Sequence, residues 1–176
     1  MNIVLVGLMG SGKSAVGRLL AVRLGRPLVD TDALVEAAAG CSIAEIFAAE
    51  GEEGFRRREA EAVAQAAAGD NQVIATGGGA VLRAENRAAL RRNGLVIWLD
   101  AEPESLLRRA RAQGLARRPL LAGPDPLARL RDLAAARRPA YAEAAHVRVV
   151  TDRRSLQDVV AEIMNIVEKI EERGLP

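Results

Sequence analysis

The chain has 176 residues, of which 49% are hydrophobic, 27% charged and only 2% aromatic, with a formal net charge of +2. That length and composition fit one domain of an ordinary soluble protein, residues 1–176, with a core large enough to need no disulfide staples. So few aromatics exclude a stacking platform for single-stranded nucleic acid, and so small a positive excess is weak support for any polyanionic partner.

Short aliphatic runs alternate with helical patterns along the chain. Strands are predicted at 3–6, at 27–29 leading into Asp30, at 73–75, at 95–99 and at 147–150. The runs are continuous and not alternating, as strands buried on both faces are. Residues 15–24 place Val16, Leu19, Leu20 and Leu24 on one helical face, and 156–170 repeat the pattern behind Ser155, a good N-cap residue. The stretch 112–126 holds Gly114, Pro119, Gly123, Pro124 and Pro126 and reads as a mobile surface loop. Strand–helix alternation predicts an α/β fold with a parallel sheet covered on both sides. The single cysteine, Cys41, cannot close an internal disulfide, which points to a reducing, cytoplasmic compartment. With no histidine near it in the sequence, Cys41 reads as structural, as does the only histidine, His146, beside the last strand. No apolar run approaches the roughly 18 residues of a membrane span, and the N-terminal run reads as a first strand and not as a signal peptide.

Directly after the first run stands GLMGSGKS, residues 7–14, with the spacing G-x-x-x-x-G-K-S over Gly7, Gly12, Lys13 and Ser14. A strand precedes it and a helix follows, the context in which this motif cradles phosphates. Glycines let successive N–H groups turn inward, and the helix N-terminus adds positive potential. Lys13 can reach the β- and γ-phosphates of ATP, and the Ser14 hydroxyl suits Mg²⁺. The short chain, without a mechanical insertion, favours a small-molecule kinase among the proteins that use this loop.

Four further stretches carry the acceptor side. Asp30-Thr31-Asp32 ends the second strand, where carboxylates face the crevice outside the strand ends. Asp30 suits Mg²⁺ through water, and Asp32 suits a substrate hydroxyl, although a capping role alone would also explain it. Arg56 to Arg58 can grip a carboxylate or form a solvated helix face. Gly77-Gly78-Gly79 lets a ligand lie against bare backbone. Arg117 and Arg118, within the predicted loop, can close over ATP.

The stretches GLMGSGKS, DTD, IAEIF, GEEGFRRRE, GGGAV and RRPLLAGPD, in this order and spacing, resemble the shikimate kinase family from about Asn2 to Val150. The resemblance implies a P-loop NTPase fold: a three-layer sandwich with a five-stranded parallel sheet in the order 2-3-1-4-5, and a mobile lid over about 112–126. It implies ATP-dependent phosphorylation of the 3-hydroxyl of shikimate by a cytoplasmic monomer, with no nucleic-acid or membrane partner. By position it assigns Gly10, Ser11, Gly12, Lys13, Ser14 and Ala15 to ATP, and Ser14 and Asp30 to Mg²⁺. Asp32 becomes the candidate base. Lys13 and Arg118 stabilise the transferring phosphoryl group. Arg56 and Arg137 hold the shikimate carboxylate, with Arg138 as the alternative in register. Gly77, Gly78, Gly79, Phe47, Phe55 and Ile43 line the acceptor site, within a binding region of about 31–62. Arg111 and Arg154 fall near the adenine, with neighbouring arginines as alternatives. The competing readings are a gluconate or nucleoside monophosphate kinase, and an ATP-binding regulatory protein without catalysis.

Overall fold

The structure, a computed structural model, describes residues 1–112, 121 and 123–173. Five strands form one parallel sheet: β1 (Asn2–Val6), β2 (Leu28–Asp30), β3 (Val73–Ala75), β4 (Gly94–Asp100) and β5 (Val147–Val150), in the order β2-β3-β1-β4-β5. This is the predicted order, and each predicted strand lies within a residue or so of the observed one. The registers Asp30 with Ala75, Leu5 with Ala75 and Val6 with Trp98 bring the C-terminal strand ends to one edge.

The core follows from period-2 alternation on the central strands. Val4, Val6, Ile74, Val96 and Trp98 face one layer, with α3 (Ile43–Ala68), α4 (Ala84–Arg92), α5 (Pro103–Ala112) and α6 (Pro126–Ala144). Ile3, Leu5, Val73, Leu95, Ile97 and Leu99 face the other, with α1 (Lys13–Leu24) and α7 (Leu156–Arg173). Ile3 to Val6 are wholly buried. Each such side chain contributes about 1.5–3 kcal/mol of burial. The single histidine is structural here: its Nδ1 accepts from the Val96 N–H at 3.0 Å and its backbone N–H donates to the Val96 carbonyl at 2.8 Å. Ser155 caps α7 through the Asp158 N–H at 3.1 Å.

A smaller cluster of Val35, Ile46, Phe55 and Ala62 joins α2 (Thr31–Ala39) to α3, with Cys41 packed beside it. α3 opens on a capping box between Ser42 and Glu45. At Gly51, φ 69° and ψ −174° interrupt the helix, a left-handed conformation open to glycine. The sequence reading did not foresee that break. Of the loop predicted at 112–126, Ala112 ends α5 and Asp125 caps α6, while Leu121 is buried in the core; residues 113–120 and 122 lie outside the described residues.

Candidate active site

Between β1 and α1 the loop Gly7 to Gly12 turns through three positive-φ glycines. At Gly7 (φ 146°) a Cβ would collide with the Leu99 carbonyl, and at Gly10 (φ 78°) one would stand 2.8 Å from the Leu106 carbonyl oxygen. The loop is therefore pressed onto β4 and α5 as bare backbone. Gly12 caps α1 without a side-chain hydrogen bond, so the first N–H groups of the helix face the cleft without an internal acceptor from the cap. Lys13 Nζ donates to the Gly7 and Leu8 carbonyls at 2.7 and 2.9 Å and is held across the loop. One cleft is lined by Gly10, Gly12, Lys13, Ser14 and Ala15 on this side and by Asp30, Asp32, Thr76 and Gly78 on the other. Ser11 is placed differently: its side chain is buried beneath the loop, and its Oγ has no hydrogen-bond partner.

Asp30, and not Asp32, caps α2: its Oδ1 accepts from the Asp32 and Ala33 N–H groups at 2.9 and 3.4 Å. Asp32 is thereby released from capping and sits half-buried in the first helical turn. Burial first, then the neighbouring carboxylates of Asp30 and Glu59, push its carboxyl up to about 6, with Lys13 opposing. The group remains ionised at neutral pH yet is basic enough to take a proton.

The triglycine stretch lies against charged side chains from three helices, most tightly at Gly77 and Gly79. A Cβ on Gly77 would stand 2.6 Å from Asp32 Oδ1 and 2.8 Å from Glu59 Oε1. One on Gly78 would lie 3.5 Å from Arg137 Nη1, and one on Gly79 would collide with the Arg56 guanidinium. Four charged groups from α2, α3 and α6 thus close around three bare residues. The Thr31 hydroxyl fixes the stretch to α2 by accepting from the Gly77 N–H at 3.0 Å.

Arg56 and Arg137 are only 7% and 5% exposed. Arg56 pairs with Glu59 at 2.6 Å and with Glu52 at 3.3 Å, and lies 5.2 Å over the Phe55 ring. Phe55 in turn packs on Phe47 at 4.7 Å between ring centroids, with Ile43 beside the same cluster. Arg138 turns the other way, to Asp100 at 3.5 Å and over Trp98 at 5.3 Å. The structure therefore brings Arg137, and not Arg138, to the triglycine.

Sequence reasoning missed Glu59. It is 1% exposed, its Oε1 is an orphan, and burial raises its carboxyl above the ordinary range against the pull of Arg56. In a helix rich in Arg and Glu it looked like one more solvated pair. The only signal in the sequence was its (i, i+3) spacing from Arg56. Arg109 was also missed: it ties α5 to the phosphate loop and β5 by donating to Gly10 O at 3.4 Å, Thr151 Oγ1 at 2.9 Å and Thr151 O at 2.8 Å. Arg111 is exposed, while Arg154 donates to the Val150 and Asp158 carbonyls and pairs with Glu162. Arg117 and Arg118 lie outside the described residues. Among the described residues no cluster of three His, Cys, Asp or Glu side chains forms a ready metal site. No described helix is long and apolar enough to cross a membrane.

The family model described as shikimate kinase matches residues 9–168. A shikimate kinase of Symbiobacterium thermophilum is 82% identical over 174 residues, covering 99% of this chain and 98% of that protein. One of Burkholderia thailandensis is 46% identical over 168 residues, covering 96% and 90%. The solved structure of the Acinetobacter baumannii shikimate kinase, in complex with shikimate, superposes with a TM-score of 0.90 at 40% identity, covering 96% of this chain and 93% of that one.

Proposed function

The chain belongs to the shikimate kinase family, and on that premise we propose how its residues divide the transfer of a phosphoryl group from ATP to the 3-hydroxyl of shikimate. The observation that carries the division is the triglycine strip, closed in by Asp32 and Glu59 at Gly77 and by Arg137 and Arg56 at Gly78 and Gly79. A small ring bearing one carboxylate and several hydroxyls needs cations at one end and an anion at the other. Arg56 and Arg137 bind the carboxylate. Glu59 holds Arg56 in place by its buried ion pair. Asp32 accepts from the reacting hydroxyl, orienting it and taking its proton. Phe47 and Phe55 cover the apolar edge of the ring, within an acceptor region of about 31–62.

On the donor side, the N–H groups of Gly10, Gly12 and the start of α1, with Lys13, Ser14 and Ala15, hold the phosphates. Ser11 contributes only backbone, since its hydroxyl points inward. The donor set fits Mg²⁺: a hydroxyl at Ser14 and a carboxylate at Asp30 are hard oxygens on the cleft wall, too few for a cage and suited to an ion that keeps water and phosphate ligands. When bound, Mg²⁺ neutralises phosphate charge. Arg118 is assigned to the phosphates, Arg111 and Arg154 to the adenine, and 112–126 to a lid, on the family motifs alone. A cytoplasmic monomer is the assignment that the family resemblance supports.

The test is Mg²⁺-dependent ADP release with shikimate, gluconate, AMP or no acceptor, beside Arg56→Lys. Turnover with shikimate alone, and a shikimate KM raised at least tenfold in the variant, is the expected result. An unchanged KM in Arg56→Lys would remove the arginine from the carboxylate clamp.

A further inference from the structure

Tyr141 is only 1% exposed, and its side chain reaches across from α6 to the triglycine strip. Its hydroxyl donates to the Gly78 carbonyl at 2.5 Å, a contact that spans 63 positions of sequence. The guanidinium of Arg137, one turn earlier on the same helix, is near enough to act electrostatically on the same phenolic oxygen. The ring itself is fixed from behind. It stacks on Trp98 at 5.7 Å, and Trp98 carries Arg138 and Arg148 at 5.3 and 5.2 Å. Both arginines pair with Asp100 Oδ2, at 3.5 and 2.6 Å, at the end of β4. A stack running from the sheet to α6 therefore ends in one hydroxyl.

That hydroxyl sits where the backbone most needs a restraint. Three consecutive glycines have no side chains to bias their peptide planes. A trans peptide points its C=O and the following N–H in opposite directions, and the described chain has no cis bond. Holding the Gly78 carbonyl toward α6 therefore aims the Gly79 N–H to the opposite face. Arg137, one turn earlier on α6, faces the same Gly78. We infer that Tyr141 is a positioning residue for the acceptor site, its hydroxyl setting both the Gly78–Gly79 peptide plane and the Arg137 guanidinium before shikimate arrives. Burial pushes the phenol up to about 12, so it stays a donor across the working range of pH.

The inference rests on the acceptor-site assignment above, and the test separates the two. Tyr141→Phe keeps the ring and its stacking on Trp98 and deletes only the hydroxyl. The expected result is a shikimate KM raised about five- to tenfold, the weight of one hydrogen bond, with the ATP KM within about twofold and kcat little changed. Arg137→Lys is measured in parallel, and the double variant should raise KM by less than the product of the two single effects, because the hydroxyl acts through Arg137. A fall in kcat and in thermal stability with the shikimate KM unmoved would mean that Tyr141 only packs the core, and would overturn the inference. An insoluble Phe variant would overturn it as well, since the hydroxyl would then be a folding requirement. If Arg137→Lys itself leaves the shikimate KM unchanged, the acceptor-site assignment fails first. If Arg137→Lys raises it and Tyr141→Phe does not, only the role of Tyr141 falls.

Discussion

Replacing Asp32 with asparagine should remove activity and make the protein more stable at neutral pH. Burial, with help from Asp30 and Glu59, lifts this carboxyl from 3.8 to about 6. In the unfolded chain it ionises near 3.8. Between the two values the folded state binds the proton and the unfolded state does not, so stability falls as pH rises from about 4 to about 6 and stays lowered above that. At about 1.4 kcal/mol for each pH unit, the difference would cost about 3 kcal/mol for a fully buried group. Asp32 is half-buried, and solvent screening reduces the figure to about 1–2 kcal/mol. Asparagine carries no such penalty. Urea unfolding followed by far-ultraviolet circular dichroism at pH 4, 5.5 and 7.5 should show the advantage of Asp32→Asn growing from near zero to about 1–2 kcal/mol. An advantage that does not change with pH, or a variant less stable than the native chain at pH 7.5, would refute the reasoning.

Three other outcomes are expected. In the native enzyme, kcat/KM for shikimate should fall about tenfold per pH unit below about 6, because protonation removes the Asp32 carboxylate; a profile flat down to pH 5 would count against a base at this position. Gly79→Ala drives a methyl group into the Arg56 guanidinium, so steady-state kinetics should show a shikimate KM raised more than tenfold with the ATP KM within about twofold. Ser42→Ala deletes half of the capping box on α3 and should cost about 1 kcal/mol in urea unfolding, with kcat unchanged because the cap lies on the far side of the Gly51 break from Arg56.

The central strands were legible because they are buried on both faces and so read as unbroken aliphatic runs; strand 3–6 is the clearest case. The phosphate loop was legible because a local motif needs no distant partner to be recognised. What sequence left open depended on tertiary direction. Arg137 and Arg138 are adjacent on a helix, about 100° apart around its axis, and only the packing of α6 decides which faces the triglycine. Asp30 and Asp32 both suit a cap by composition, and the backbone at the end of β2 chooses Asp30. Glu59 is chemically ordinary until α3 buries it against Arg56. The break at Gly51 leaves no mark beyond a single glycine, which a helix interior tolerates at a cost of about 1 kcal/mol.

Trp98 is the only tryptophan of the chain. It is almost fully buried, has two guanidinium groups over its ring and stacks on the ring whose hydroxyl reaches Gly78. The molecule therefore carries a single indole, which excitation at 295 nm selects over the lone tyrosine. Its emission should be blue-shifted in the folded state and move to the red on unfolding. Because a single ring separates it from the triglycine strip, a shift in that strip as the acceptor binds would be transmitted to the indole as a change in intensity, allowing occupancy to be followed without an added dye.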